Sequence, residues 1–466
     1  MKRIRILITL TVISLIAGIF YLLPAYLKHR EIQAAQADLQ LLASENTEPS
    51  KHPNNGYAAL WLLPYQTGSE AERTGLMKKY QEALHNTDAE IPQELQALAL
   101  LLPQNEEMRC APNAAECLSE IKAKLPEYKQ ALYRYRDLIR NIDALADYEN
   151  LYLDHPPGDG LSPFKQRLPQ LNLLSYGRAA AAVEWADNQP KQALQRACRQ
   201  IKLGKTLIQK QQELIYAMMG DVLVSGNTRL VAHMLSEKPE WATHLPETCT
   251  QALMPFTQNE HNICGSIKKE FRSIRNLNRQ IGANSSFNIR LELITKPKNS
   301  WFLLLDDNEP FWPLALQAMT LPVFNTEHNE AILATSYAPF CRSSALQSLK
   351  QDTGPVSMPE AISYHSWSCK SNVLGCRFFG SALVDFSDYQ NRLQDTQMLL
   401  RAFQAGLDLY RLPAHQRQAA FNSILARHSS PSRQLRWDTE THHITFPLYY
   451  TRHQAPMSIP VALSSP

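Results

Sequence analysis

Glycine is scarce in this chain of 466 residues, with 16 against 29 prolines. So few glycines argue against a protein built on tight β-hairpins or phosphate-cradling loops, and frequent proline suits helices that start and stop often. The motifs that announce chemistry are also missing. No G-x-S-x-G elbow, no H-E-x-x-H helix, no P-loop and no G-x-G-x-x-G fingerprint occurs. No C-x2-C pair occurs either, and no histidine pair stands beside a cysteine pair at ligand spacing, which disfavours zinc. The formal net charge is only +3, and it comes from one end. Without Lys2, Arg3, Arg5, Lys28 and Arg30 the basic count falls from 47 to 42, against 44 acidic residues. The body therefore has no basic field to draw nucleic acid.

What the chain does have begins at its start. Ile6 to Leu27 is an uncharged apolar run of 22 residues. As a helix it would span about 33 Å, enough for the hydrocarbon core of a bilayer. Met1-Lys-Arg-Ile-Arg5 precedes it and Lys28-His-Arg-Glu31 follows, so the positive-inside bias favours a cytoplasmic N-terminus and an exported body. Ala35-Gln36-Ala37 has the small-x-small form of a signal-peptidase site, but it lies beyond charged residues, and the run is longer than a signal core. The expectation is a retained anchor: a single-pass protein of a bacterial inner membrane with its body in the periplasm.

Eight cysteines in an exported body invite disulfides. Cys110 and Cys117 bracket a short loop, and Cys369 and Cys376 repeat the same spacing around Lys-Ser-Asn-Val-Leu-Gly. Cys249 and Cys264 flank another break, leaving Cys198 and Cys341 to meet through the fold. Free buried cysteines are the competing reading.

Helical periodicity dominates the rest, and the predicted fold is mainly α: a transmembrane helix, then an irregular helical bundle with αα-hairpin elements of the tetratricopeptide kind and a small C-terminal β-hairpin. Residues 1–30 form the cytoplasmic tip and anchor, and 31–153 a juxtamembrane stalk, through Asn46, with a first helical region. Residues 154–282 form the αα-hairpin region, 283–453 a C-terminal helical region with the β-hairpin, and 454–466 a loose tail. The clearest stretch is 167–236. There one apolar stripe (Leu168 to Ala186) ends at Asp187-Asn-Gln-Pro190, and a facing stripe (Ala193 to Leu207) follows. A third helix from Gln212 to Leu235 is expected to break near Ser225-Gly226-Asn227. Only one convincing hairpin is present, with no period repeated three times, so a repeat array is the lesser expectation. Helices are also expected over Ser69 to His85, Pro92 to Leu102, Leu118 to Leu153, His261 to Ile281, Thr326 to Gln351, Asp388 to Tyr410 and Pro413 to Arg427. Leu435 to Phe446 alternates around a turn as a hairpin should.

Several local patterns occur together: Asn55-Gly-Tyr-Ala58, Cys110 with Cys117, the alanine-rich hairpin before Gln212-Glu-Leu-Ile215, Phe324-Asn-Thr-Glu-His-Asn-Glu-Ala331, Asn372-x-x-Gly375, Tyr389-x-x-Arg392-x-x-Asp395 and Arg436-Trp-Asp438. In this order they resemble a loose group of proteobacterial envelope proteins, each with one N-terminal anchor and a helical exported body and none with an assigned activity. The group often has proline after the asparagine of Asn-x-x-Gly, where this chain has Val373. The resemblance implies location and fold only.

The remaining candidates for chemistry are modest. Ser266-x-x-Lys269 matches an S-x-x-K pair, but so does Ser119-x-x-Lys122, and two exposed helix residues explain the match. Asp306, Asp307 and Glu309 cluster between apolar runs, as turn residues do. His442 and His443 are neighbours on the hairpin and face opposite sides, so they cannot easily share a metal. His328 and Glu330 lie near a helix start and read as polar caps. Lys268, Lys269, Arg272, Arg275 and Arg279 read as the solvated face of a helix. Trp301 and Phe302 with Phe311 and Trp312, and Phe446 with Tyr449 and Tyr450, would pack beneath irregular loops or line a groove. No catalytic residue, metal ligand or cofactor follows from these patterns. The favoured expectation is a membrane-anchored scaffold or adaptor presenting helical surfaces to a protein or peptide partner. An exported hydrolase of envelope polymers with a dispersed site is the alternative.

Overall fold

The computed structural model describes residues 11, 18, 22–44, 54–85, 93–103, 108, 110, 114–151, 170–209, 213–257, 260–285, 324–354, 366–381, 386–451 and 457–462. They are mostly helical. Residues 22–34 form α1, followed by α2 (Gln36–Ala43), α3 (Tyr57–Trp61), α4 (Glu70–His85), α5 (Gln93–Ala97), α6 (Ala114–Ala123), α7 (Leu125–Arg134) and α8 (Arg136–Ala144). Next come α9 (Tyr176–Ala186), α10 (Pro190–Gln209), α11 (Leu214–Glu237), α12 (Glu247–Ala252) and α13 (Cys264–Ser285). The C-terminal part carries α14 (Thr326–Tyr337), α15 (Ser343–Gln351), α16 (Val373–Ser381), α17 (Ser387–Arg411) and α18 (Ala414–His428). Three short antiparallel strands close it, in the order β1 (Arg436–Asp438), β2 (His443–Thr445), β3 (Ile459–Pro460).

The alanine-rich hairpin is the centre of the molecule. Asn188, in a left-handed conformation at φ 59°, turns the chain between α9 and α10, and Pro190 opens α10, where its missing N–H costs nothing. α9 is mostly apolar and buried, and its two charged residues are tied down, Arg178 on the Cys110 carbonyl and Glu184 under Arg196. Ala179 and Ala180 join one hydrophobic core, with Leu138, Ile142 and Leu174; Ala181, Ala182 and Val183 join a second and larger one. That larger core runs from Leu42 through α10, α11, α14 and α17 to Val461. Side chains of one carbon let the helices pack closely on both faces. α10 and α11 approach closest at Gly204 and Gly220, where a Cβ on either would lie within 2.6 Å of the other's carbonyl oxygen.

Several expectations are corrected. The segment beyond Glu31 is no free-standing stalk: Ala35 and Leu42 are buried, and α2 packs against α13 and α14. α11 does not break at Ser225-Gly226-Asn227, because all three are buried and Asn227 donates back to the Leu223 carbonyl within the helix. The helix expected over Leu118 to Leu153 is three shorter ones; Pro126 has to sit in the first turn of α7, which ends α6 before it. The helix from Pro92 stops at Ala97, after which Ala99 pairs with Tyr65 as a bridge. The hairpin forms with Trp437 opposite Ile444, but the tail is not loose throughout: Ile459 pairs with Ile444, and Met457, Ile459 and Val461 are buried.

Among the described residues no helix is long and apolar enough to cross a membrane. Most of Ile6 to Leu27 lies outside the described residues, as do Asp306, Asp307, Glu309, Trp301, Phe302, Phe311 and Trp312.

Candidate functional site

Four disulfides hold the body. Cys110 is joined to Cys117 and Cys369 to Cys376, each closing a short loop. Cys249 is not joined to Cys264. It pairs with Cys198, tying α12 to α10, while Cys264 pairs with Cys341, tying the start of α13 to the end of the α14 segment. Closeness in sequence misled here, because Cys249 and Cys264 belong to helices with different neighbours. No described cysteine is free, and no described group of histidine, cysteine or carboxylate side chains is arranged to hold a metal ion.

The densest polar arrangement sits where α1 meets the body. Asn325 caps α14, its side chain accepting from the His328 N–H at 2.7 Å. That cap places His328, fully buried, one turn into the helix. The Asn372 amide nitrogen donates to His328 Nδ1 at 3.0 Å and to Asn329 Oδ1 at 2.7 Å, while Asn372 Oδ1 accepts from the Asn325 N–H at 2.7 Å. With Nδ1 accepting, the proton of the neutral ring lies on Nε2, which donates to the Glu31 carboxylate at 2.7 Å. Asn329 donates to Asn278 Oδ1 at 2.9 Å, and Asn278 donates to the Thr326 carbonyl at 2.9 Å. Each amide has found its complement, as a buried polar network must. Gly375 lies one turn beyond Asn372, and a Cβ there would stand 2.0 Å from Asn329 Oδ1 and 2.3 Å from Asn372 Oδ1. The Asn-x-x-Gly spacing is therefore the room these two amides need.

His328 and Glu330 are thus not polar caps. The cap is Asn325, and Glu330 is buried, accepting from Arg275 at 2.7 Å and from Arg279 at 2.6 Å. The basic stretch of α13 is correspondingly a solvated face only in part: Arg279 is 54% exposed, but its charge and that of Arg275 are paired with Glu330. Besides those two arginines, Lys268 is buried against Ser44, donating at 2.7 Å, with its pKa lowered by burial and by Arg272. Arg342 forms a fork with Asp38 of α2 at 2.7 and 2.9 Å. Lys28 of α1 feels the carboxylate of Glu327, although burial outweighs that attraction and lowers its pKa.

A second knot closes the C-terminal end. Arg433 uses all five guanidinium N–H groups: two on Asp352 at 2.6 and 2.7 Å, one on Asp395 at 2.5 Å, and two on the carbonyls of Gln394 and Pro447. Asp395 also accepts the backbone N–H groups of Tyr449 and Tyr450. Arg392 donates to the Tyr450 hydroxyl, so both polar members of Tyr389-x-x-Arg392-x-x-Asp395 bind the closing segment to α17. Phe446 and Tyr450 are buried packing residues. Ser266 is buried and not exposed, its helix turned inward. His443 faces His233 across 6.1 Å, and His442 lies in the turn with φ 56°, so the two neighbours do separate.

Sequence reasoning missed Asn278, Asn372 as a hub, Asp352 and Arg433. The polar residues lie on helices and turns far apart in the chain. The one usable signal was Asn372-x-x-Gly375, an unexplained small residue one turn after a polar one. Comparisons with protein-family models, with curated proteins and with solved structures find no match for this chain.

Proposed function

We propose that the chain is a single-pass scaffold or adaptor of a bacterial envelope, anchored by Ile6 to Leu27 and presenting a rigid helical body to a protein or peptide partner outside the cytosol. The observation that carries this reading is the seating of the segment that follows the apolar run. α1 and α2 are joined to the body through Glu31 on His328, Asp38 on Arg342 and buried Leu42. An anchor seated in this way fixes the orientation of whatever it carries, which suits positioning better than a mobile tether would. Four disulfides fit an oxidising compartment and a body that keeps its shape. His328, the most enclosed histidine in the network, has one ring nitrogen on Glu31 and the other on Asn372, so the pair holds a joint together and offers no base to a substrate.

The test combines topology with capture. Reporters fused after Pro466 should be active as a periplasmic phosphatase and dark as a cytosolic fluorophore, and the chain should resist carbonate extraction. Purification from detergent-solubilised membranes should then recover a stoichiometric partner. A cytosolic C-terminus overturns the location, and recovery of the chain alone, with hydrolytic activity on an envelope polymer, overturns the scaffold.

A further inference from the structure

We infer that the segment 366–381, closed by the Cys369–Cys376 disulfide, is a membrane-contact surface that lays the body against the bilayer holding its own anchor; the inference rests on the anchored reading above. The contacts follow one another from lipid side to body. Leu22 is 67% and Tyr26 59% exposed on α1, a profile that suits the end of an apolar run emerging from lipid. Lys28 lies beside Glu327 and Glu31 binds His328, so the last turns of α1 meet the first turn of α14. The same turn holds segment 366–381 through Asn372, and α16 packs on α14. The segment is therefore fastened to the part of the body that the anchor reaches first.

Its surface has the chemistry of a bilayer interface. Trp367 is 38% and Phe378 42% exposed, on either side of the Cys369–Cys376 loop. Lys370 stands 3.8 Å above the Trp367 ring, and Phe378 packs edge-on to buried Phe379, which continues to Phe324. Within 366–381 the only charged residues are Lys370 and Arg377, with no carboxylate. On the anchor side, Lys28 and Arg30 add two more cations, against the carboxylates of Glu31, held by His328, and Glu327. Aromatic rings with interleaved cations match the interfacial zone of a membrane containing anionic lipid, where the rings reach the headgroup level and each cation gains from the surface potential. A lipid surface needs only the exposed rings and the sign of the charge.

The experiment uses the full chain reconstituted in vesicles of phosphatidylethanolamine and phosphatidylglycerol, with and without bromine on the upper acyl chain. Subtracting the emission of the Trp367→Phe variant from that of the native chain isolates Trp367 among the seven tryptophans. That difference emission should fall about twofold or more with brominated lipid, as for a ring at the headgroup boundary. Phe378→Trp supplies an independent probe should Trp367→Phe disturb the fold, and its added emission should be quenched alike. Lys370→Glu with Arg377→Glu should weaken quenching in vesicles with phosphatidylglycerol. Flotation separates the two failures. A chain that floats with vesicles while both probes stay unquenched overturns this surface alone. A chain that does not float overturns the anchor and this surface with it.

Discussion

The alanine-rich hairpin and the joint beneath α1 solve the same problem, close packing of helices, in opposite ways. In the hairpin the contact is made by removing side chains. Ala179 to Ala182 are fully buried, and Gly204 meets Gly220 backbone to backbone. The small-residue contacts there specify by fit, and one ion pair adds direction, Arg196 of α10 on Glu184 of α9 at 2.8 and 3.0 Å. At the joint, Asn329 and Asn372 crowd against Gly375, and hydrogen bonds, each with one correct orientation, link them with Asn278, Asn325 and His328. A dry contact tolerates sliding and repacking, whereas a satisfied polar network has a single seating and loses much when one member is removed. The arrangement places the tolerant contact at the centre and the exacting one where the body receives α1.

The disulfides give the largest test of that contrast. Cys198–Cys249 closes a loop with sequence separation 51 in the hairpin half, and Cys369–Cys376 one of separation 7 at the joint. By loop-closure entropy the first contributes about 4 kcal/mol and the second about 2 kcal/mol. Serine pairs at 198/249 should therefore lower the chemical-denaturation midpoint of the whole body more than serine pairs at 369/376. Amide exchange should then show the reverse local ranking, with 369/376 loosening 366–381 and α1 while the hairpin stays protected. A uniform loss in both variants would mean that the two regions unfold as one unit and the contrast has no local meaning.

Asn372→Ala probes the exacting side directly. It strands His328 Nδ1, Asn329 Oδ1 and the Asn325 N–H, which should cost about 2 to 3 kcal/mol. Exchange should rise along residues 22–43 before it rises in α9 or α10. Equal protection of α1 in the variant and the native chain would show that the joint does not depend on its asparagine hub.

How much of this was legible beforehand follows the same division. The hairpin was readable because its signal is local: two apolar stripes, a turn at Asp187-Asn-Gln-Pro190 and a run of alanines that only helix packing uses. The β-hairpin was readable for the same reason, but β3 was not, since Ile459 pairs with Ile444 across a long connection that carries no turn signal of its own. The joint was not readable. Its partners come from α1, α13, α14 and segment 366–381, and an asparagine on a helix gives no sign in sequence of facing another asparagine. Glu31 to Asn46 looked like a stalk because it continues the helix out of the apolar run, yet Ala35 and Leu42 are buried and Asp38 and Glu31 find partners on the body. Cys198 and Cys341 were left to meet each other, whereas they pair with Cys249 and Cys264, because sequence distance is a poor guide once helices have packed.

Acid should expose a weak point on the dry side. His233 of α11 faces His443, and burial, with the neighbouring His443 ring adding to it, pushes its pKa from 6.5 down to about 4. The folded body therefore resists a proton that the unfolded chain accepts. This contribution is whole above pH 6.5 and is lost as pH falls through about 4. Allowing for residual exposure, it amounts to about 2 kcal/mol. Thermal melting should fall over that window, and His233→Gln should flatten the slope. An unchanged slope would assign the acid sensitivity elsewhere.

The smallest effect expected is at Glu31, and it discriminates most finely. The Glu31 side chain is 36% exposed, so its charge is screened on one side, while the His328 ring it meets is fully buried. Glu31→Gln keeps an acceptor for the Nε2 proton and should cost below about 1 kcal/mol. Glu31→Leu removes the acceptor and leaves a buried donor, which should cost about 1 to 3 kcal/mol despite the gain in apolar surface. The two variants differ little in size, so the comparison isolates the hydrogen bond from packing. If α1 opens equally in both, as judged by exchange at residues 22–34, the carboxylate's charge is what seats α1. If only the leucine variant opens, the joint depends on geometry and a paired donor, the property that sets it apart from the alanine contact above it.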